Sequence, residues 1–179
     1  VDTGLGLQDI AAPRERLSGA LLKASRPKLD RNETAFQQIT KLGFSADEVK
    51  HIIVTHLDAD HAGGITDFPN ATIHISAEEY NEAMNPSTRM AKLRYSKWLS
   101  KVANKWERYE WNSKWFGFNS VDSLRGIKAD IRLIDLKGHT NGHAGISVRA
   151  AGNWLLHAGD SYFYFKEMNI DNPRCTAGL

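Results

Sequence analysis

Short apolar runs alternate with helical patterns along most of the chain. Strands are predicted where apolar runs lie between polar turns, at 51–55, 71–75, 131–136, 144–149 and 154–157. Apolar residues at helical spacing predict a helix over 32–42, and a second helix is predicted over 76–83. Ser45, with Glu48 three residues later, predicts a capped helical turn that runs through residue 50. This alternation of strands and helices predicts a layered α/β domain.

The segment 85–120 differs from the rest of the chain because it is rich in tryptophan and in basic residues. It holds four of the five tryptophans. Between Arg89 and Lys114, eight Lys or Arg stand against two Glu, which is a local charge of +6 in a chain of net charge +2. An amphipathic helix is predicted from the roughly helical spacing of Leu93, Trp98, Val102 and Trp106. Such a helix would be either a cover whose tryptophans pack and whose lysines face water, or a lid over a substrate pocket, with a basic face that attracts an anionic substrate.

The composition is that of an ordinary globular protein. A length of 179 residues predicts one domain over 1–179, with 85–120 as an insertion. No apolar run approaches the roughly 20 residues that span a bilayer, so we expect no membrane partner. The single cysteine, Cys175, cannot form an internal disulfide and favours a reducing, cytoplasmic compartment. A signal peptide upstream of Val1 would lie outside this sequence.

The densest group of reactive side chains follows the strand predicted at 51–55. Four side chains able to bind a metal lie there within six residues: His56, Asp58, Asp60 and His61. Ligand sites in α/β sheets are usually found at the carboxyl ends of strands. A calcium-binding EF-hand loop is excluded, because Ala62 and Pro69 occupy positions where that loop needs oxygen ligands.

Two further groups of polar residues adjoin later strands. The turn 138–143 contains two histidines, and Gly159-Asp160 follows the strand that ends at His157. Each group alone is a weak signal, but three such groups in one α/β chain together predict a metal site. His157 is predicted to be structural, and His51 and His74, which lie in strands, are predicted to be ordinary core or surface residues.

These motifs resemble those of the metallo-β-lactamase superfamily of metallohydrolases, in the branch that includes glyoxalase II and the acyl-homoserine lactonases. The matching motifs are Val1–Gly4, Thr55–Gly64, Gly138–His143 and Gly159–Asp160. The resemblance implies a metallo-β-lactamase-like αββα sandwich. Because Val1–Gly4 reads as the end of a strand and 171–179 is polar, we expect that sandwich to be incomplete at both ends.

The resemblance implies a site for two zinc ions. The implied ligands are His56, Asp58 and His139 for the first ion, Asp60 and His61 for the second, and Asp160 as a bridge between both. Asp58 stands where the family usually has histidine, which also makes manganese or iron plausible. The family's further histidine for the second ion has no counterpart among the residues after Asp160, which favours a missing segment. By the same resemblance, His143 is predicted to be structural.

The implied reaction is the attack of a metal-bound hydroxide on a small ester, lactone or thioester, with a lactone as the favoured substrate. Asp60 is implied as the catalytic residue that orients the nucleophile and protonates the leaving group. Substrate contacts are predicted for Tyr162, Tyr164, Trp98 and Trp106. Phe163 occupies the position where the lactonase branch has a tyrosine, which weakens the lactonase assignment at that point.

Two other functions stay open. Asp58 and the absent final histidine would also suit a non-catalytic or metal-poor sensor or binding protein on the same fold. The basic segment would suit a phosphodiesterase or nuclease of the same superfamily. No nucleic-acid motif accompanies that segment, so a nucleic-acid partner is not expected. Activity as a true β-lactamase is disfavoured, because Asp58 departs from the pattern of the commonest dinuclear β-lactamases.

Overall fold

The computed structural model describes residues 1–172, so Cys175 and the end of the tail lie outside the described residues. Its α-helices are α1 (Leu7–Ala11), α2 (Pro13–Arg16), α3 (Gly19–Ser25), α4 (Ala35–Lys41), α5 (Ala59–Ala62), α6 (Ala77–Met84) and α7 (Arg89–Arg94). Short 3-10 helices lie at Arg31–Glu33, Ala46–Glu48, Gly63–Asp67, Lys97–Lys101 and Phe165–Met168. No helix in this part of the chain is long and apolar enough to cross a membrane.

The strands form two sheets of different type. They are β1 (His51–Ile53), β2 (Thr72–Ser76), β3 (Trp106–Tyr109), β4 (Ser113–Trp115), β5 (Phe118–Val121), β6 (Ile131–Asp135), β7 (Ala144–Ala150) and β8 (Asn153–His157). The first sheet is parallel, in the order β1-β2-β3, and the second is antiparallel, in the order β4-β5-β6-β7-β8. The loops after β1, β6 and β8 carry the histidines and carboxylates singled out in the sequence, and a hydrogen bond from Ala144 N to Thr55 O joins the two sheets there.

Each face of the first sheet packs against a different layer, because side chains of a strand alternate between its faces. Ile52, with Ile73 and Ile75 of β2, belongs to a cluster that also contains Phe36 of α4. The neighbouring Ile53 packs into a second cluster with residues of β6 and β7. Helices therefore cover one face of the first sheet and the second sheet covers the other, which confirms the layered α/β arrangement with two sheets.

Local capping signals in the sequence reappear in the structure. The predicted helix over 32–42 is found as α4, preceded by a 3-10 turn. Ser45 and Glu48 form the expected capping box, in which Ser45 N–H donates to Glu48 Oε2 over 2.7 Å. The helix expected after the second strand is α6, and its first turn is capped by Ser76 Oγ, which accepts from Glu79 N–H.

The segment 85–120 contradicts the prediction of one amphipathic helix. It contains α7 and a 3-10 turn, followed by β3 of the first sheet and β4 and β5 of the second. Trp106 pairs with Ile73 of β2, so inter-strand pairing overrides its helical spacing. Leu93 is exposed, whereas Trp98 packs against the core. The strand end expected at Val1–Gly4 is also absent among the described residues, where that stretch carries no strand assignment.

Candidate metal centre

Four side chains from three loops converge where the two sheets meet. His56 and Asp58 follow β1, His139 lies between β6 and β7, and Asp160 follows β8. Nε2 of His56 lies 3.4 Å from an oxygen of Asp58 and 4.0 Å from an oxygen of Asp160. Nε2 of His139 lies 3.0 Å and 3.6 Å from the same two oxygens. Ligands about 2.0–2.2 Å from a tetrahedral ion lie roughly 3.4 Å apart, so this spacing fits a metal ion.

The ring of His56 is held through its Nδ1, which leaves Nε2 facing that cluster. Thr55 Oγ1 donates its only hydrogen to Asp2 Oδ2, so its 2.9 Å contact with His56 Nδ1 requires that the ring nitrogen donates. In a neutral ring, Nε2 of His56 is then the nitrogen that carries the free lone pair. Within residues 1–172 this atom is buried and has no hydrogen-bond partner. An orphaned buried acceptor among two carboxylates and a second imidazole is what a cation site requires.

The electrostatics keep the carboxylates in the ionised form that binds metals. Burial alone raises the pKa of Asp58, but its hydrogen bonds with His139 and Arg94, together with the nearby His56 ring, hold that pKa well below the usual range. The hydrogen bond with His61 lowers the pKa of Asp160 against the opposing effect of burial. Burial lowers the pKa of His61, yet its hydrogen bonds with Asp160 and Asp2 raise it overall to about 10.

His61 extends the cluster through the other oxygen of Asp160. Its Nε2 lies 3.3 Å from Asp160 Oδ1, and its Nδ1 lies 2.9 Å from Asp2 Oδ2. Asp60, the neighbouring residue on α5, is exposed and takes part in none of the side-chain hydrogen bonds found in the described part of the chain. The structure thus gathers five of the six sequence-predicted ligands, whereas the part assigned to Asp60 stays a prediction.

The other histidines occupy different environments. His143 is buried, with its ring between Leu136 O and Asp160 N–H, and these contacts suit the structural role expected for it. His74 is fully buried in β2 and lies beside His51. His157 is exposed and lies 3.3 Å from the backbone nitrogen of Gly159.

Two residues that the sequence did not single out tie the site together. Arg94, at the end of α7, contacts both oxygens of Asp58 and donates to His139 O. Glu79, fully buried on α6, accepts hydrogen bonds from Leu57 N–H, Tyr95 O–H and Thr140 O–H. Leu57 and Thr140 adjoin metal-site residues, and Tyr95 adjoins Arg94. No local motif marks these residues, because their partners lie up to 61 positions away in the chain.

The residues predicted to contact substrate do not lie together. Trp98 and Trp106 pack against the helix-covered core of the first sheet, and the guanidinium of Arg16 lies 3.9 Å from the centre of the Trp98 ring. Tyr162 and Tyr164 lie after Asp160, where Tyr162 is exposed and Tyr164 is half-buried. Their substrate contacts stay a prediction.

Two clefts open beside His139. One of about 510 Å³ is bounded by Ala20 of α3 and by Met90, Leu93 and Arg94 of α7. The other, of about 440 Å³, is lined by His139 and by residues of the β4–β5 hairpin. The ring of Phe163 lies 5.6 Å from that of His139. Both clefts reach a metal-site histidine, so either can present a small molecule to the centre.

The fold and the site together define a class of protein: two packed sheets whose strand-end loops gather histidines and carboxylates around a cation site. A family model described as the metallo-beta-lactamase superfamily matches residues 1–174. The chain belongs to the metallo-β-lactamase superfamily, and its fold is the metallo-β-lactamase fold.

Named relatives and solved structures agree with this membership. The chain is 37% identical over 165 residues to a "Probable metallo-hydrolase" of Mycobacterium tuberculosis, covering 92% of this chain and 53% of that protein. It is 29% identical over 151 residues to the N-acyl homoserine lactonase AttM of Agrobacterium fabrum, covering 83% of this chain and 54% of the lactonase. An N-acyl homoserine lactone hydrolase, solved with product at its catalytic metal centre, superposes with a TM-score of 0.62 at 21% identity, covering 87% of this chain and 55% of that one. The chain therefore spans about half the length of the relatives it matches.

Proposed function

We propose that this protein is a metal-dependent hydrolase of a small ester-like molecule, with a lactone as its most plausible substrate. The observation that carries the proposal is the buried Nε2 of His56, which has no hydrogen-bond partner among residues 1–172. It lies 3.4 Å from Asp58 Oδ2 and forms a group of possible metal ligands with His139 and Asp160. Membership of a superfamily of metallohydrolases supports the same conclusion. We further propose that residues 1–179 form one domain of this kind.

The proposed ligands follow from the resemblance and from the geometry. His56, Asp58 and His139 would hold a first ion, Asp160 would bridge, and a second ion would lie at His61 with Asp60. Zinc is the first choice because imidazole and carboxylate both suit it, and the added carboxylate of Asp58 makes manganese or iron the alternatives. A divalent ion bound here would act as a Lewis acid toward water and toward a carbonyl oxygen.

The chain's own residues would orient the substrate and move protons. Asp60 is exposed on α5, so its carboxylate is accessible to accept a proton from the attacking water and return it to the leaving alcohol. Thr55 and Asp2 hold the two ring nitrogens that do not face the cluster, on His56 and His61. These contacts fix both rings before substrate arrives, which reduces the reorganisation needed for reaction.

A lactone is favoured among ester-like substrates by sequence similarity to AttM and by the shape of the larger cleft. Exposed Met90 and Leu93 give this cleft apolar surface, and His139 lines the same cleft. An apolar acyl chain would fit that surface while its carbonyl lies beside the centre. Phe163 presents no hydroxyl to the carbonyl, so we expect lower turnover than a tyrosine at that position would give.

The first experiment measures metal content and turnover of the same preparation. Metal per chain is determined by mass spectrometry on unchelated protein, and hydrolysis is followed on lactones, aryl esters and bis(p-nitrophenyl) phosphate. We expect about two equivalents of metal for a dinuclear centre, and turnover highest on lactones or esters. Turnover highest on the phosphodiester would favour a phosphodiesterase. Bound metal without turnover would favour a binding protein, and folded protein that binds no metal would refute the proposal.

A matched pair of variants tests the catalytic part of the proposal. Asp60→Asn removes the charge of the proposed proton carrier, so turnover should fall about 100-fold or more with the fold unchanged. Glu78→Gln removes the charge of another exposed carboxylate, on α6, and should leave turnover unchanged. Equal turnover in both variants would exclude Asp60 from catalysis.

A further inference from the structure

Asp58 adds a negative charge to the proposed metal site, which a neutral histidine at the same position would not do. An imidazole ligand is neutral, whereas Asp58 brings a second negative charge to a cluster that already contains Asp160. Both carboxylates approach the same atom, since their oxygens lie 3.0 Å and 3.6 Å from Nε2 of His139. Two carboxylates that share one neighbouring atom repel each other in a partly buried site unless a cation lies between or beside them.

Arg94 supplies a fixed positive charge beside Asp58. Its Nε lies 2.7 Å from Asp58 Oδ1, and its Nη2 lies 2.9 Å from Oδ2. This two-point contact is the strongest geometry available to a guanidinium and a carboxylate, and lysine cannot reproduce it. The same guanidinium donates through Nη1 to His139 O over 2.6 Å. One side chain therefore links the two loops that carry Asp58 and His139.

The end of α7 is anchored so that Arg94 stays in this position. Tyr95, the next residue, is buried and donates its hydroxyl to the buried carboxylate of Glu79. At the other end of the helix, Thr88 Oγ1 caps Ala91 N–H, and Ala91 packs in the core. Two of the Arg94 contacts, to Asp58 Oδ1 and to His139 O, use neither of the two atoms proposed to bind a cation. Nη2 of Arg94 also lies 2.9 Å from Asp58 Oδ2 and 2.7 Å from His139 Nε2. A cation bound at Asp58 Oδ2 and His139 Nε2 would replace these last two contacts, while the contacts to Asp58 Oδ1 and His139 O can remain.

We propose that Arg94 is a positioning residue of the metal centre and that its role depends on Asp58 being a carboxylate. Arg94 holds Oδ1 of Asp58, which turns Oδ2 toward His56 and His139, and it offsets the charge that Asp58 adds. The inference rests on the proposed metal-dependent function, because it concerns how one proposed ligand is held. Loss of such an outer contact to a ligand typically weakens metal binding about 10- to 100-fold.

The test is a metal-affinity cycle on the whole chain, with Zn²⁺ as the probe and competition with a chromophoric chelator as the readout. Arg94→Met should weaken Zn²⁺ binding about 10- to 100-fold, and Arg94→Lys should recover only part of the loss. Lys92→Met removes an exposed cation from the same helix and should bind Zn²⁺ like the wild type. Circular dichroism of each metal-free variant checks that the fold is retained.

The decisive comparison repeats Arg94→Met in an Asp58→His background. Without the carboxylate, the guanidinium has no anion to hold and repels the metal, so the same change should leave Zn²⁺ affinity unchanged or tighten it. A similar loss in both backgrounds would overturn the dependence on Asp58. Unchanged or tighter binding of Zn²⁺ by Arg94→Met alone would overturn the positioning role. If the wild type binds no Zn²⁺, the proposed function itself fails, which separates the two conclusions.

Discussion

The backbone N–H of Asp160 donates a hydrogen bond to Nε2 of His143 over 3.0 Å. The other ring nitrogen of His143 lies 2.9 Å from Leu136 O, to which it must donate. Burial lowers the pKa of His143 to about 4, so the ring stays neutral and can make both contacts at once. An imidazole outside the proposed ligand set therefore holds in place the loop that carries Asp160.

His143→Ala should destabilise the protein and weaken metal binding together. The change leaves Asp160 N–H and Leu136 O without partners, which should lower the free energy of unfolding by about 2–4 kcal/mol. His157→Ala is the matched control, because that histidine is exposed and near the same loop, and its effect should stay within about 0.5 kcal/mol. Urea unfolding and Zn²⁺ competition measure both effects. Equal losses in the two variants would remove the special role of His143.

Gly159→Ala should disturb the same loop by steric contact. Gly159 has φ of +55°, and an added Cβ would lie 2.5 Å from Nε2 of His143. Gly152→Ala is the control, since Gly152 has φ of +83° but nothing within 4 Å of an added Cβ. Backbone strain alone should lower the free energy of unfolding by about 1–2 kcal/mol in the control, and Gly159→Ala should lose clearly more. A similar loss of stability in both variants would mean that the loop of Gly159 shifts to accommodate the added Cβ without further cost.

Glu79→Ala should destabilise the three segments that carry Leu57, Tyr95 and Thr140. Three buried donors lose their shared acceptor, so the free energy of unfolding should fall by about 3 kcal/mol or more. Glu79→Gln keeps an acceptor oxygen and the shape of the side chain, and should lose less. Glu78→Ala, an exposed neighbour on α6, should change stability by less than about 0.5 kcal/mol. Chemical unfolding ranks the three variants, and any other order would contradict the role given to Glu79.

His74 should make the protein less stable in mild acid. Its ring is fully buried between His51 and Tyr109, and burial with the nearby His51 lowers its pKa to about 4. An unfolded histidine has a pKa of about 6.5, so the unfolded chain binds more protons between these values. The contribution of His74 to the free energy of unfolding is therefore fully present above about pH 6.5 and is lost as the pH falls toward about 4.

The measurement compares wild type with His74→Gln by urea unfolding at about pH 7.5 and about pH 4.5. The wild type should lose about 2–3 kcal/mol more than the variant over that interval, because groups common to both proteins cancel. Parallel losses in the two proteins would show that His74 does not titrate in the unfolding reaction.

Sequence patterns predicted the elements whose signals are local. The capping box of Ser45 and Glu48 joins atoms three residues apart, so its residues alone decide whether it forms. The strand before His56 was equally clear, because apolar runs and turn residues are properties of a short window. The motif then placed metal-binding side chains at strand ends, where the structure brings five of them together. The helical spacing of Trp98 and Trp106 gave a wrong prediction of one amphipathic helix, because pairing of β3 with β2 outweighed the helical pattern.

What the sequence determined by itself is the set of strand-end motifs and the chemistry available to them. What only the tertiary structure decided is how those side chains are held. Arg94 meets Asp58 across 36 positions of chain, and Glu79 meets Thr140 across 61. Such pairs have no shared window in which a pattern could appear. They form because α6 and α7 pack beside the loops of both sheets, so their partners are chosen by packing and charge after the chain has folded.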